Sequence, residues 1–125
     1  MKPDLLFVAA GGALGASGRY LVSVATMRLV GPGFPLATMI VNVLGSALMG
    51  ALVVLLAHKG GMRFAPFLMT GVLGGFTTFS AFSLDAITLY ERGAAMQAGV
   101  YVVLSVGLSL AALFGGMSLM RATLG

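Results

Sequence analysis

Nearly every residue of this chain that can do chemistry is a hydrogen-bond donor, and very few are acids. Tyr101, Ser105 and Ser109 recur at i, i+4 and i+8, a spacing that puts three hydroxyls on one face of a helix. A single Ser in an apolar helix often bonds its own backbone and says little. Three in register form either a polar track or a set of interhelical hydrogen bonds. Asn42 stands in another apolar stretch. A buried primary amide must find partners, and its NH₂ group can donate two hydrogen bonds to an anion. Arg19 is the one fixed positive charge well inside an apolar stretch. In a bilayer such a charge is costly enough to imply a functional or bracing role, unless its long stem carries the head to the interface.

A third segment reads Gly74-Gly75-Phe76-Thr77-Thr78-Phe79-Ser80-Ala81-Phe82-Ser83. Two glycines followed by two β-branched threonines favour a break in a helix over its continuation. Non-helical backbone at membrane depth persists only when buried in protein or lining a polar cavity. Its freed carbonyls need partners: a cation such as Na⁺ is one, and a simple kink satisfied by Thr hydroxyls is the alternative. Phe76, Phe79 and Phe82 add ring edges, which carry the positive side of the aromatic quadrupole, although phenylalanines at this spacing also serve as plain core. Hydroxyls, an amide, a guanidinium and ring edges together favour a small anion over a cation. No Asp or Glu falls within the first, second or fourth apolar stretch, and Asp85 lies toward the far part of the third. That distribution argues against a proton-coupled pump.

The elements that must position these groups follow from composition. Of the 125 residues, 59% are hydrophobic and 8% charged, against about 25% charged in soluble domains. Leu29–Ala57, Phe64–Leu84 and Gly93–Met120 each run 21 residues or more without a charge, beyond the ~18 that signal a membrane helix. A soluble enzyme, a nucleic-acid binder and a disulfide scaffold are excluded. The chain has no cysteine and a single histidine, His58, so no metal centre of the Cys/His type can form. Met1-Lys2 followed by an apolar run invites a signal-peptide reading. Asp4 interrupts it, and the run continues past Arg19 to Met27, so a first membrane span is expected instead. Four spans are predicted, near 5–27, 36–57, 65–90 and 94–120, with the third broken. Gly31-Pro32-Gly33 and Pro35, then His58 to Arg63, then Glu91-Arg92-Gly93 make the turns. The whole chain, 1–125, forms one all-α transmembrane domain with no room for a soluble one.

Small residues recur at helix-packing spacing in Gly11 and Gly15, Ser46 and Gly50, Gly71 and Gly75, and Gly107-Ala111-Gly115. Such pairs let backbones approach closely in lipid, within one subunit or between two. The charges give a weak orientation signal. One side of a four-span chain carries Lys2, Lys59, Arg63 and Arg121; the other carries Arg28 and Arg92, with Arg19 between. The positive-inside rule acts on that difference. So small a bias raises the possibility of insertion both ways and of an antiparallel homodimer, beside an ordinary fixed topology.

Gly74 through Phe82 strongly resembles the third-helix signature of the CrcB/Fluc family of fluoride channels. Asn42-Val43-Leu44-Gly45-Ser46 resembles the family's second-helix motif, and Gly15-Ala16-Ser17-Gly18-Arg19-Tyr20 its first. The resemblance covers the whole chain. It implies a dual-topology, antiparallel homodimer in the plasma (inner) membrane, with two pores that let cytoplasmic fluoride leave passively. It further implies that Phe79 and Phe82 turn ring edges to fluoride, that Asn42 is the pore amide, and that Tyr101, Ser105 and Ser109 are the hydroxyl track. The carbonyls of Gly74 and Thr77 from both subunits are implied to hold a structural Na⁺, and Arg19 to stand near a pore vestibule. Two positions depart from the pattern: Ala81 where many relatives carry Ser or Thr, and Asp85 in place of Glu.

Two other classes compete. A small dual-topology drug/proton antiporter has the same size and span count, but needs an acid in the membrane, usually on the first helix; residues 5–27 contain none. A non-transporting helical subunit explains the small residues but not the register of the polar track.

Overall fold

The computed structural model describes residues 2–58 and 60–125; Met1 and Lys59 lie outside them, so the charged turn after the second span is described without its lysine. Among the described residues four helical segments are long and apolar enough to cross a membrane: Asp4–Leu29, Leu36–His58, Met62–Glu91 and Ala95–Leu124. Helix α1 spans Lys2–Leu29 and α2 Leu36–His58. The third span is composite. A 3₁₀ turn, Met62–Phe64, leads into a π-helical segment, Pro66–Leu73, then a short α turn, α3, Gly74–Phe76. The chain is extended at Thr77, with φ −86° and ψ 162°, and resumes as α4, Ser80–Glu91. The last span is one helix, α5, Ala95–Leu124.

The glycine pair at 74–75 stays helical, with Gly74 at φ −62° and ψ −37°, and within the expected motif the break falls at the threonines that follow. Those glycines serve packing instead. A Cβ at Gly75 would lie 2.6 Å from the Gly12 carbonyl oxygen, and one at Gly15 would run into the Val72 carbonyl. The first half of the third span therefore lies backbone to backbone against α1, as small-residue pairs permit. Gly50 of α2 makes the same approach to Leu113 of α5, and Gly116 of α5 to Ala47. Gly107 and Gly115 face open space, so that stripe packs nothing within the subunit.

Helix α2 packs chiefly on α5, α1 on the π segment and α3, and α4 on α5. The compact core is small: Met39, Phe82, Leu89, Ala98 and Tyr101, between α2, α4 and α5. Helix α4 ends at Glu91; just past its end Gly93 takes a φ of +84° that suits glycine, and the Ala94 N–H donates to the Leu89 carbonyl at 2.9 Å. That six-to-one closure turns the chain sharply into α5 and returns Tyr101 and Ser105 toward α4.

Candidate functional site

The break exposes backbone groups that an unbroken helix would satisfy, and side chains from neighbouring helices take some of them. Asn42 on α2 does most. Its Nδ2 donates to the Thr78 carbonyl at 2.9 Å, and its Oδ1 accepts from the Thr78 N–H at 2.8 Å. One amide thus substitutes for both backbone partners of a single residue. One of the two Nδ2 protons is committed to Thr78, which leaves one for any other acceptor; the sequence reading assigned both to an anion. Arg19 on α1 donates from Nε to the Gly75 carbonyl at 3.1 Å. Thr77 closes the preceding turn, its N–H and Oγ1 both donating to the Leu73 carbonyl at 3.0 Å. Thr78 Oγ1 accepts from the Ala81 N–H at 3.2 Å and so satisfies one first-turn N–H of α4.

Beside the break a cavity of about 380 Å³ opens between α2, α4 and α5, lined among others by Asn42, Thr77, Phe79, Phe82, Ser105 and Ser109. Five of the six residues singled out by sequence as pore-lining are therefore gathered in one groove. The two phenylalanines differ within it. Phe82 is 9% exposed and belongs to the core, whereas Phe79 is 77% exposed. Their ring centroids are 5.5 Å apart at 46°. Ser105 is buried, and its Oγ has no hydrogen-bond partner. A buried unpartnered hydroxyl costs about 1–3 kcal/mol, so a groove that keeps one is suited to a guest that accepts a hydrogen bond.

Tyr101 is the residue that the structure does not bring to the groove. It is fully buried, packed on Phe82 at 5.3 Å and on Phe34 edge-on at 5.5 Å. Its hydroxyl donates to Asp85 Oδ2 at 3.1 Å, and Thr38 Oγ1 donates to the same oxygen at 2.7 Å. Both protons are committed to a carboxylate that would otherwise face apolar surroundings. Sequence reasoning missed Thr38 and the partnership of Thr78 with Asn42. A lone Asn in one span and a predicted break in another were the available signal, since each needs what the other offers.

Carbonyl oxygens are the groups here that could hold a cation. The Thr78 and Ala81 N–H groups, which a regular helix would aim at the Gly74 and Thr77 carbonyls, go to Asn42 and to Thr78 Oγ1 instead. Among the described residues no cluster of three or more His, Cys, Asp or Glu could hold a metal ion. A second cavity, of about 150 Å³, lies between α1, α2 and the break and is lined by Arg19, Ser23, Thr38 and Thr78 among others.

Residues 6–117 match the family model described as CrcB-like protein, Camphor Resistance (CrcB). The fluoride-specific ion channel FluC of Cereibacter sphaeroides is 71% identical over 121 residues, 97% of each chain. Its counterpart in Ruegeria sp. is 63% identical over 125 residues, 99% of each chain. The one in Roseobacter denitrificans is 59% identical over 120 residues, 94% of this chain and 95% of its own.

Proposed function

This chain belongs to the CrcB-like family, and from that premise we propose that it is a fluoride-selective channel that lets fluoride leave the cytoplasm by passive flow. It is a multi-pass membrane protein and not an enzyme. The observation that carries the reading is the groove of Asn42, Phe79, Phe82, Ser105 and Ser109 with an unpartnered Ser105 hydroxyl inside it. Among the described residues no carboxylate lines that groove, so its wall carries no negative charge to repel an anion. Fluoride is small and strongly hydrated, and each donor on the path must offset part of its lost water. Hydroxyl, amide and ring-edge donors each contribute a little, and the sum sets the barrier. Loss of one donor should raise it by about 1–2 kcal/mol, tenfold or more in rate.

The pore residues work in an antiparallel homodimer with two pores, inserted in both orientations in the plasma (inner) membrane. The nearly balanced positive charge of the two loop sides supports this. So does the exposure of Phe79, whose ring needs a cover that one subunit does not supply. A structural Na⁺ fits the Gly74 and Thr77 carbonyls, hard oxygen donors whose helical N–H partners are engaged elsewhere. Bound there, it would satisfy the break's backbone without any carboxylate and tie the two subunits at their centre. A passive exit suffices for the task, because fluoride that enters as neutral HF dissociates inside the cell and accumulates as the anion.

Purified protein in liposomes, loaded with fluoride or chloride and diluted into an anion-free medium, tests the reading. Rapid fluoride efflux with little chloride efflux is expected. Equal efflux of the two, or proton-coupled exchange of an organic cation, would refute it.

A further inference from the structure

We propose that Arg19 is a positioning residue that decides which backbone oxygens of the third-span break remain open to a cation. The inference rests on the carbonyl-held Na⁺ of the reading above. The break releases the carbonyls of Gly74, Gly75, Phe76 and Thr77 from their helical N–H partners, and the Thr78 carbonyl lies at the same kink. Two of these five are then closed by side chains. Asn42 Nδ2 takes Thr78 at 2.9 Å, and Arg19 Nε takes Gly75 at 3.1 Å. Gly74, Phe76 and Thr77 are left. The set open to a cation is thus narrowed by subtraction, and α1 supplies one of the two groups that subtract.

Arg19 is well built for this. It is part-buried well inside α1, where a guanidinium bonded to a carbonyl is held far more firmly than one in water. Helix α1 is brought against the break by Gly11 and Gly15, whose Cβ atoms would collide with the π segment or α3. The arginine's reach is therefore fixed by helix packing and not by a flexible loop. A positive charge on the Gly75 oxygen also closes that oxygen to a second cation. Without Arg19, the Gly75 carbonyl would join the others in competing for the ion, and the backbone between Gly74 and Thr77 could turn toward either side.

The test compares parent, Arg19→Ala and Arg19→Lys as purified full-length protein. Thermal unfolding is followed while Na⁺ replaces N-methylglucamine at constant ionic strength. The parent should gain stability with Na⁺. Arg19→Ala should need about tenfold more Na⁺ to reach its plateau, the loss of one charged hydrogen bond, and should approach parent stability at saturating Na⁺. Arg19→Lys, which keeps a charge without the planar fork, should shift by a smaller but measurable factor. A parent that ignores Na⁺ removes the sodium reading and this inference with it. A parent that responds while Arg19→Ala responds at the same concentration, or loses equal stability at every Na⁺ level, leaves that reading intact and overturns the positioning role. Should Arg19→Ala fail to fold, Arg19→Lys with the parent's Na⁺ midpoint overturns it equally.

Discussion

Replacing Asn42 by alanine should destabilise the protein before it says anything about conduction. The side chain makes two hydrogen bonds to one residue, at 2.9 and 2.8 Å, and these stand in for the helix bonds that Thr78 lacks. Truncation strands a carbonyl and an N–H together in a partly buried site. Each stranded group costs about 1–3 kcal/mol, which puts the pair at about 2–6 kcal/mol. Water reaching the adjoining groove brings the expected loss to the lower half of that range. Denaturant or thermal unfolding in detergent measures it, with Ser109→Ala as the comparison, since Ser109 lines the same groove without holding the break. Asn42→Ala should lose both stability and fluoride efflux, and Ser109→Ala should lose efflux at nearly parent stability. An Asn42→Ala protein as stable as the parent would refute the stapling role and leave Asn42 as a pore amide alone.

The phenylalanines should separate in the same way. Phe79→Ile, at an exposed ring, should change subunit stability by less than about 0.5 kcal/mol, while Phe82→Ile should cost about 1–2 kcal/mol through its lost stacking on Tyr101; both should slow fluoride efflux about tenfold. Efflux at the parent rate from both variants would reduce the rings to packing. Gly75→Ala should prevent α1 from seating on the third span, because its Cβ would stand 2.6 Å from the Gly12 carbonyl; a folded, parent-stable variant by circular dichroism and gel filtration would contradict that packing. Met62→Cys, in an exposed turn of a chain with no native cysteine, should react with impermeant thiol reagent from both sides of the membrane; labelling from one side alone would exclude dual insertion.

The spans were legible because lipid imposes a coarse requirement, about 20 apolar residues per crossing, which composition meets without ambiguity. The helix ends were less so. Helix α1 begins at Lys2 and α5 runs to Leu124, each beyond the apolar core, since charged and polar ends of a membrane helix cost nothing in the interface. The break lies inside the expected Gly-Gly-Phe-Thr-Thr motif, at its threonines and not at its glycines. Glycine's freedom was read as a site of unwinding, whereas at Gly75 its missing side chain is what matters. The extended residue is Thr77, and what holds the break is Asn42, bonded to the next residue, Thr78, from 36 positions earlier in the chain. A contact of that separation leaves no trace in local propensity. The π-helical winding of Pro66–Leu73 was equally out of reach, because its apolar composition suits an α-helix as well.

The hydroxyl track shows how placement refines a pattern that spacing alone suggests. Tyr101, Ser105 and Ser109 do share a face of α5, yet they are not equivalent. Tyr101 gives its proton to Asp85, and Thr38 gives a second to the same oxygen. A carboxylate near an anion path would raise the barrier by simple repulsion, and two donors on one of its oxygens draw the charge toward α2 and α5. The short aspartate at this position favours such a fixed arrangement, because its single methylene gives the carboxylate little reach beyond Thr38 and Tyr101. The track open to a guest therefore begins at Ser105, the first hydroxyl of the three whose oxygen has no partner. Tyr101 acts one layer behind, as the group that keeps Asp85 occupied. On this argument Tyr101→Phe should slow fluoride less by removing a donor from the path than by releasing the acid beside it. Adding Asp85→Asn to Tyr101→Phe should then restore part of the lost efflux, and a double variant slower than both single ones would show the two groups acting independently.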